Sequence, residues 1–156
     1  MKIELYQEGQ EKAIHQLIKK VYDEFVAKDY SNEGNVIFYD WISPNKIAER
    51  QSENNSLWVA SEDNMIVGMI EIKNNNHISL LFVEKTYQGR GIAKVLVKEA
   101  LEYCKKVDRN LETYSVNASP FSIPIYEKLG FKAIKEIQET NGIIYLPMEM
   151  KINNIL

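Results

Sequence analysis

The N-terminal third of the chain alternates between two kinds of hydrophobic spacing, which predict one strand and two helices. Residues 2–7 alternate apolar and polar side chains, as a short strand does. After Gly9, apolar residues recur three and four positions apart, which is the stripe of an amphipathic helix. That stripe contains Ile14, Leu17, Ile18, Val21, Tyr22, Phe25 and Val26. Residues 29–42 are rich in aromatic side chains but have no firm period, so we expect a connection there. Ser43-Pro44 resembles an N-cap followed by proline, so a second helix should run to about Gln51.

Three strands are predicted next, at Leu57–Ser61, Met65–Lys73 and His77–Val83. Short polar turns separate them, and turns of this length join antiparallel neighbours, so the three strands should form a meander. The third strand is apolar on both faces, which is typical of a strand buried in the middle of a sheet.

The C-terminal half returns to a mixture of helices and strands. In chain order it predicts a helix at Ile92–Val107, a strand at Leu111–Val116, a helix at Ser119–Leu129, and strands at Lys132–Glu139 and Ile143–Lys151. The wide apolar stripe of the first helix predicts that it lies flat on the sheet. Pro124 predicts an irregular first turn in the second helix, and Gly130 occupies its C′ position.

The last two strands should form a hairpin, because Asn141-Gly142 is a strong two-residue turn signal. Pro147 lacks the N–H that a sheet ladder needs, so we expect a bulge there. The element order predicts one domain spanning residues 1–156, with a mixed sheet and helices on its faces.

Composition excludes several classes of protein. Hydrophobic residues make up 45% and charged residues 26%, the range of a globular domain. The net charge is −3 with no basic block, so nucleic acid is not an expected partner. The longest nearly apolar run, Ile78–Val83, is far shorter than the roughly 20 residues of a membrane span, and the N-terminus lacks a signal-peptide core. A single cysteine and two histidines make a metal site unexpected. Together these features favour a cytoplasmic protein.

The segment between the third meander strand and the following helix is the motif that carries chemistry. Glycines allow close backbone approach, and the first amides of a helix are unpaired and lie at its positive end, so the pair Gly89 and Gly91 favours a phosphate cradle. The dinucleotide pattern fails because Lys94 stands at its third glycine position, and the Walker pattern fails because Ile92 follows Gly91. The pattern Q-x-x-G-x-A is satisfied by Gln88, Gly91 and Ala93.

This pattern resembles the acetyl-CoA signature of the GNAT superfamily of N-acyltransferases, and HISLLFVEKTYQGRGIAKVL is similar to it throughout. A second stretch, VNASPFSIPIYEKLGF, resembles a later segment of the family. The resemblance covers nearly the whole chain and implies a mixed, mostly antiparallel sheet of about seven strands flanked by about four helices. One departure is that nine positions separate Asn117 from Tyr126, about two more than is usual in the family.

The resemblance implies acetyl-CoA as co-substrate, direct transfer to a primary amine, and no metal. The residues that it assigns to the co-substrate are Leu81, Phe82, Val83, Gln88, Gly89, Arg90, Gly91, Ile92, Ala93, Lys94 and Asn117. Composition alone would place residues 81–83 in the core, and both roles are compatible because side chains pack while the backbone binds. The resemblance assigns Tyr126 as general acid toward the leaving thiolate, whereas helical spacing alone would make Tyr126 a core aromatic. A free tyrosine has a pKa of about 10, so at neutral pH it donates a proton.

The general base and the acceptor stay open at this stage. Candidate bases are Glu71, His77, Glu33 and Asp40, or a water chain. The aromatic-rich segment 29–42 is expected to form one wall of the acceptor pocket. Its carboxylates Asp29, Glu33 and Asp40 would favour a cationic amine, such as a polyamine, an aminoglycoside or a peptide amine. Cys104 lies on the helix stripe and is expected to be a buried small residue. The alternatives are a CoA-binding regulatory module without turnover and, for assembly, a monomer or a homodimer.

Overall fold

The computed structural model describes residues 1–152, which form one eight-stranded sheet with helices on both faces. The strands are β1 (Lys2–Leu5), β2 (Asn55–Glu62), β3 (Met65–Lys73), β4 (His77–Val83), β5 (Thr113–Ala118), β6 (Lys132–Ala133), β7 (Gln138–Thr140) and β8 (Ile143–Lys151). The α-helices are α1 (Glu11–Phe25), α2 (Asn32–Trp41), α3 (Pro44–Gln51), α4 (Ile92–Val107) and α5 (Ile123–Lys128). Single 3-10 turns occur at Ala27–Asp29, Lys85–Tyr87 and Pro120–Ser122.

The strand order is β1-β2-β3-β4-β5-β8-β6, with β7 paired to β8. The described pairs are antiparallel except β4 and β5, which run parallel. The mixed, mostly antiparallel sheet, the meander and the central position of β4 are therefore confirmed.

The sheet is covered by a hydrophobic core on each face. On one face, Ile14 and Ile18 of α1 and Ile47 of α3 are fully buried with Met69 of β3. The other core joins α4 and α5 to the sheet and includes the fully buried Leu96. Burying one such side chain contributes about 1.5–3 kcal/mol, so the two apolar stripes account for the placement of α1 and α4.

Residues 29–42, expected to be a connection, instead contain the helix α2. Ser31 caps it, because its Oγ accepts a hydrogen bond from the Gly34 N–H at 3.1 Å. The only buried residue of α2 is Gly34, and its aromatic side chains are half-buried against other elements. The helix therefore lacks the apolar stripe by which a sequence pattern reveals a helix.

The bulge expected at Pro147 is absent, since the pairing of β5 with β8 continues through Asn117 opposite Pro147. The irregularity falls on the other edge of β8, where the single strand expected at 132–139 is split into β6 and β7. Pro147 lies opposite that break, and its carbonyl accepts a hydrogen bond from the Ile134 N–H at 3.0 Å. A missing N–H is tolerated at this point because no regular ladder runs beside it.

The two turns that flank α5 agree with their sequence signals. The irregular first turn appears as the 3-10 turn Pro120–Ser122 ahead of α5. Gly130 ends the helix with a φ of 101°, and the Phe131 N–H donates to the Tyr126 carbonyl at 3.0 Å. These two turns fix where α5 begins and ends beside β5.

Candidate active site

The parallel strands β4 and β5 separate soon after they begin. Their pairing comprises only His77 with Ser115 and Ile78 with Val116. Beyond that point a cavity of about 690 Å³ lies between the strands and is lined by Ser79 to Val83 on the β4 side. This volume is in the range of small-molecule sites.

The free edge of β4 exposes backbone groups to this cavity. The Glu84 N–H donates to the Val67 carbonyl of β3 at 2.8 Å. Because successive residues of a strand point their backbone groups to opposite sides, those of Val83 point away from β3 and toward the cavity. The Gln88 side-chain amide donates to the Val83 carbonyl at 3.0 Å, which occupies that acceptor and leaves the Val83 N–H as the group available to a ligand.

The glycine turn before α4 forms the other end of the cavity. Gly89 and Gly91 have φ values of 80° and 83°, and a Cβ at either position would meet no atom within 4 Å. Gly91 is the N-cap of α4 and supplies no side-chain cap, so the first amides of the helix are left for a ligand. The loop therefore fits a pyrophosphate group. It leaves open space beside glycines at positive φ, and its unpaired amides lie at the positive end of a 16-residue helix.

Tyr126 and all but one of the residues assigned to the co-substrate line this cavity. The lining includes Leu81, Phe82, Val83, Gln88, Gly89, Gly91, Ile92, Ala93, Lys94, Asn117 and Tyr126. Arg90 lies outside the lining, and its guanidinium instead sits 4.9 Å from the centre of the Tyr87 ring. Lys94 and Lys128 supply the positive charge of the lining.

Tyr126 is buried, lies in α5 and lines the cavity. Its ring packs edge-on against Phe131, with the centroids 5.5 Å apart. Within residues 1–152 the hydroxyl has no hydrogen-bond partner, and burial raises the pKa of the phenol. A neutral, unpartnered hydroxyl in a ligand cavity can donate a hydrogen bond to a developing anion.

The cavity has an aromatic wall, which we define as Tyr22, Tyr30, Phe38 and Phe82. Tyr22 of α1 stacks on Phe38 of α2 with centroids 3.9 Å apart, and Tyr30 meets Tyr22 edge-on at 5.8 Å. Phe38 lies 6.3 Å from Phe82 of β4. Two of these rings, Tyr30 and Phe38, come from the aromatic segment 29–42 that was expected to form one wall of the acceptor pocket. The member that the sequence analysis missed is Tyr22, which it expected only in the core.

Phe121 is a second cavity residue without a sequence signal. It belongs to the 3-10 turn before α5, within the segment that is longer than usual for the resembled family. Its ring stacks on Phe25 of α1 at 4.7 Å, which connects the two sides of the cavity.

The four candidate bases and the acidic residues of the aromatic segment lie outside the cavity lining. Glu71 is fully buried and accepts hydrogen bonds from Arg50, Gln51 and Asn55. Those hydrogen bonds use both carboxylate oxygens, so Glu71 has a structural role rather than that of a free base. Glu33 is exposed, and Asp40 forms an ion pair with Lys46.

His77 is the second base candidate in the sheet, and its imidazole is also engaged elsewhere. It stands at the start of β4, where its Nδ1 lies 2.8 Å from the Ser115 Oγ. Burial and the neighbouring Lys73 lower its pKa. Cys104 is buried away from the cavity, and burial raises the pKa of its thiol to about 11, so it remains protonated. None of these groups faces the cavity where an amine would react.

Comparisons with known proteins agree with this geometry. The sequence model of the Acetyltransferase (GNAT) domain matches residues 26–152. The chain is 32% identical over 76 residues to the peptidyl-lysine N-acetyltransferase YjaB of Salmonella typhimurium, an alignment covering 49% of this chain and 50% of that protein. The chain thus spans about half the length of this curated relative.

Solved structures extend the likeness to the whole fold. A GCN5-related N-acetyltransferase from Rhodopseudomonas palustris superposes with a TM-score of 0.81 at 22% identity, covering 97% of this chain and 95% of the other. The PaiA N-acetyltransferase from Thermoplasma acidophilum, solved with coenzyme A, gives 0.77 at 22% identity, covering 97% and 99%. In the described part of the chain no helix is both long and apolar enough to cross a membrane. The family model matches most of the chain, which therefore belongs to the GNAT acetyltransferase domain family.

Proposed function

We propose that this protein is an N-acetyltransferase that transfers an acetyl group from acetyl-CoA to a primary amine by direct attack in a ternary complex. The observation that carries the proposal is that one cavity contains the glycine cradle, the free edge of β4 and the unpartnered Tyr126 hydroxyl. Membership of the family and the coenzyme A complex of the Thermoplasma acidophilum protein support it.

Each part of the co-substrate has a counterpart in the cavity. The pyrophosphate would be held by the amides of Gly89 to Lys94, with the Lys94 charge adding attraction. The amides of the pantetheine arm would bond along residues 81–83 of β4, as an added strand does. This arrangement directs the thioester toward Tyr126 and the aromatic wall.

The proposed reaction forms a C–N bond and breaks the C–S bond. The neutral amine attacks the thioester carbonyl carbon, and the carbonyl oxygen accepts a hydrogen bond from the Val83 N–H. The electron pair of the C–S bond leaves on sulfur, and the Tyr126 hydroxyl donates a hydrogen bond to the departing thiolate. The second amine proton, lost as the amide forms, passes through solvent and protonates the released thiolate. Full proton transfer from a phenol of ordinary pKa to a thiolate is uphill by about 2 kcal/mol, so hydrogen bonding is the assigned role.

The amine must lose a proton before it attacks. For a lysine-like amine with a pKa of about 10.4, deprotonation at pH 7 costs about 4.6 kcal/mol. Among the described residues, the cavity lining contains neither a carboxylate nor an imidazole. We therefore propose that solvent water removes this proton.

The test is release of free coenzyme A thiol from acetyl-CoA in the presence of a panel of primary amines. Amine-dependent release, with acetylated amine detected by mass spectrometry, is expected. If acetyl-CoA binds but no amine accelerates release, the protein is instead a CoA-binding module without turnover, and the proposal is wrong.

A further inference from the structure

The chemistry of the acceptor end of the cavity is set by aromatic rings. Tyr30, Phe38 and Phe82 are half-buried lining residues, and Tyr22 supports them from behind by stacking on Phe38. The Tyr22 hydroxyl donates to the Asn35 side-chain oxygen at 2.6 Å, so the polar end of this ring is occupied. Apart from the Tyr30 hydroxyl, what these residues offer to the cavity is a set of apolar ring surfaces.

The nearby carboxylates do not offset this apolar surface. In α1, Asp23 pairs with Lys19 at 2.6 Å and Glu24 pairs with Lys85 at 2.5 Å. Burial and, to a smaller extent, the adjoining Asp29 raise the Tyr30 pKa to about 12, but Asp29 lies outside the lining. The charged side chains that line the cavity within residues 1–152 are the cations Lys94 and Lys128.

A multiply charged acceptor is disfavoured by this lining. Each additional ammonium that enters must give up water, and an aromatic ring face returns only about 0.5–2 kcal/mol of that cost, so full compensation needs a carboxylate or another hydrogen-bond acceptor. This observation argues against polyamines and aminoglycosides, the classes that the acidic residues of the sequence favoured.

A flat aromatic body suits the same surface. Aromatic rings pack favourably edge-on or offset-stacked against other rings, and such pairs contribute about 0.5–1.5 kcal/mol beyond the area that they bury. The Phe121 and Phe25 stack adds a further apolar surface beside the wall. Resting on the proposed acetyl transfer, we propose that the acceptor is a monoamine carried on an aromatic ring, which lies against Tyr30, Phe38 and Phe82.

The experiment measures kcat/KM at saturating acetyl-CoA for four amines. They are 2-phenylethylamine, 2-cyclohexylethylamine as a non-planar apolar match, 1,4-diaminobutane as a doubly charged amine, and kanamycin. We expect 2-phenylethylamine to exceed 1,4-diaminobutane and kanamycin by about tenfold or more. The kcat/KM for 2-phenylethylamine should exceed that for 2-cyclohexylethylamine by about threefold to tenfold. This is about the ratio that corresponds to the extra free energy of aromatic pairs.

Two variants of α2 separate recognition from folding. Phe38→Leu should lower kcat/KM for 2-phenylethylamine by about tenfold and leave KM for acetyl-CoA unchanged. Val36→Ala is the matched control, because Val36 is 67% exposed on the same helix and lies outside the cavity. It should leave both values unchanged.

The outcomes distinguish the two proposals. Faster turnover of 1,4-diaminobutane or kanamycin, or equal turnover of the phenyl and cyclohexyl amines, overturns the aromatic acceptor and leaves acetyl transfer standing. Absence of thiol release with every amine, while acetyl-CoA raises the melting temperature, overturns acetyl transfer and the acceptor proposal with it.

Discussion

The backbone N–H of Ser31 donates a hydrogen bond to the carbonyl oxygen of Gly142 at 3.0 Å. This contact joins the tip of the β7–β8 hairpin to the start of α2, directly after Tyr30 of the aromatic wall. The contact is tight, because a Cβ at Gly142 would lie 1.7 Å from the Ser31 Oγ, and a Cβ at Gly34 would lie 2.7 Å from the Gly142 oxygen. The hairpin tip therefore positions the helix that supplies Phe38.

The first prediction concerns this contact. Gly142→Ala should lower the free energy of unfolding by about 2–5 kcal/mol, because it combines a left-handed φ of 82° with a steric clash. Gly9→Ala is the matched control, since Gly9 has a φ of 103° but nothing within 4 Å of the added Cβ, and it should cost about 1–2 kcal/mol. Urea unfolding of both variants measures the difference. Equal losses would show that the hairpin tip does not press on α2.

The second prediction concerns the glycine cradle. Acetyl-CoA should raise the melting temperature of the protein, and a hundredfold excess over Kd corresponds to about 2.7 kcal/mol of stabilisation. Gly91→Val should abolish this shift, because the side chain would occupy the place of the pyrophosphate, and its Cβ would meet no protein atom within 4 Å.

Gly9→Val controls for the strain of placing valine at positive φ and should keep the shift, since Gly9 lies outside the cavity. Thermal unfolding with acetyl-CoA, NADH and ATP measures the effect. An equal shift with NADH would count against an acyl-CoA site.

The third prediction tests the Tyr126 hydroxyl. Tyr126→Phe retains the ring that packs on Phe131, so stability should change little. The value of kcat should fall by roughly 10²–10⁴, with KM for acetyl-CoA nearly unchanged, because the lost hydrogen bond strengthens mainly in the transition state. Tyr103→Phe, at an exposed tyrosine outside the cavity, should have no effect on kcat.

The loss in Tyr126→Phe should shrink with an acyl thioester whose thiol is more acidic, because that leaving group needs less stabilisation. The raised pKa also predicts that Tyr126 stays protonated in the folded enzyme beyond pH 10, so its ionisation should not reduce kcat below that pH. Full retention of kcat with a slow leaving group would mean that Tyr126 is a packing residue.

The fourth prediction assigns Glu71 to stability. Arg50 donates to both Glu71 oxygens at 3.0 and 3.1 Å, and its side chain is only 15% exposed. Glu71→Gln leaves this cation without its partner and should lower the free energy of unfolding by about 3–5 kcal/mol. The kcat of the folded fraction should be preserved. Glu49→Gln, at an exposed position of the same helix as Arg50, serves as control, and a selective loss of kcat in Glu71→Gln would restore the base assignment.

The fifth prediction concerns His77. Its pKa is lowered in the folded state, so the unfolded chain binds a proton that the folded chain does not, and stability should fall as the pH drops below about 6.5. His77→Gln should flatten this dependence and keep kcat, because His77 lies outside the cavity. Unfolding measured between pH 5 and 8 checks the slope. A large drop in kcat with an unchanged slope would identify His77 as the base.

Local sequence signals were sufficient for much of the fold. The apolar stripes of α1 and α4 and the bounds of β3 and β4 could be read from periodicity, because each pattern is repeated over several residues of one element. Asn141-Gly142 and Gly130 were informative for a different reason. Each sits where the backbone requires a positive φ, a local property of one or two residues.

That the glycine loop before α4 lies at a cavity was also consistent with the sequence. Gln88 to Lys94 form one continuous segment, so the loop and helix start that they build depend on their own order. Arg90 is the exception, because its guanidinium packs over the Tyr87 ring. A sequence motif does not specify the side-chain rotamer that places it there. The expectation that Glu71 or His77 faces an acceptor amine remains unsupported by the structure for a similar reason. The hydrogen-bond partners of Glu71 and the partner of His77 come from other elements, so the sequence around each residue does not reveal them.

The sequence pointed to the aromatic segment 29–42 as one wall of a pocket, but only the tertiary structure decided how the aromatic wall is assembled. The aromatic wall collects rings from α1, the segment before α2, α2 itself and β4, and no local pattern relates these elements. The helix α2 is held by its Ser31 cap and by the Gly142 contact rather than by an apolar stripe. A sequence specifies its local preferences residue by residue, whereas a pocket between elements depends on long-range packing that becomes defined when the sheet assembles.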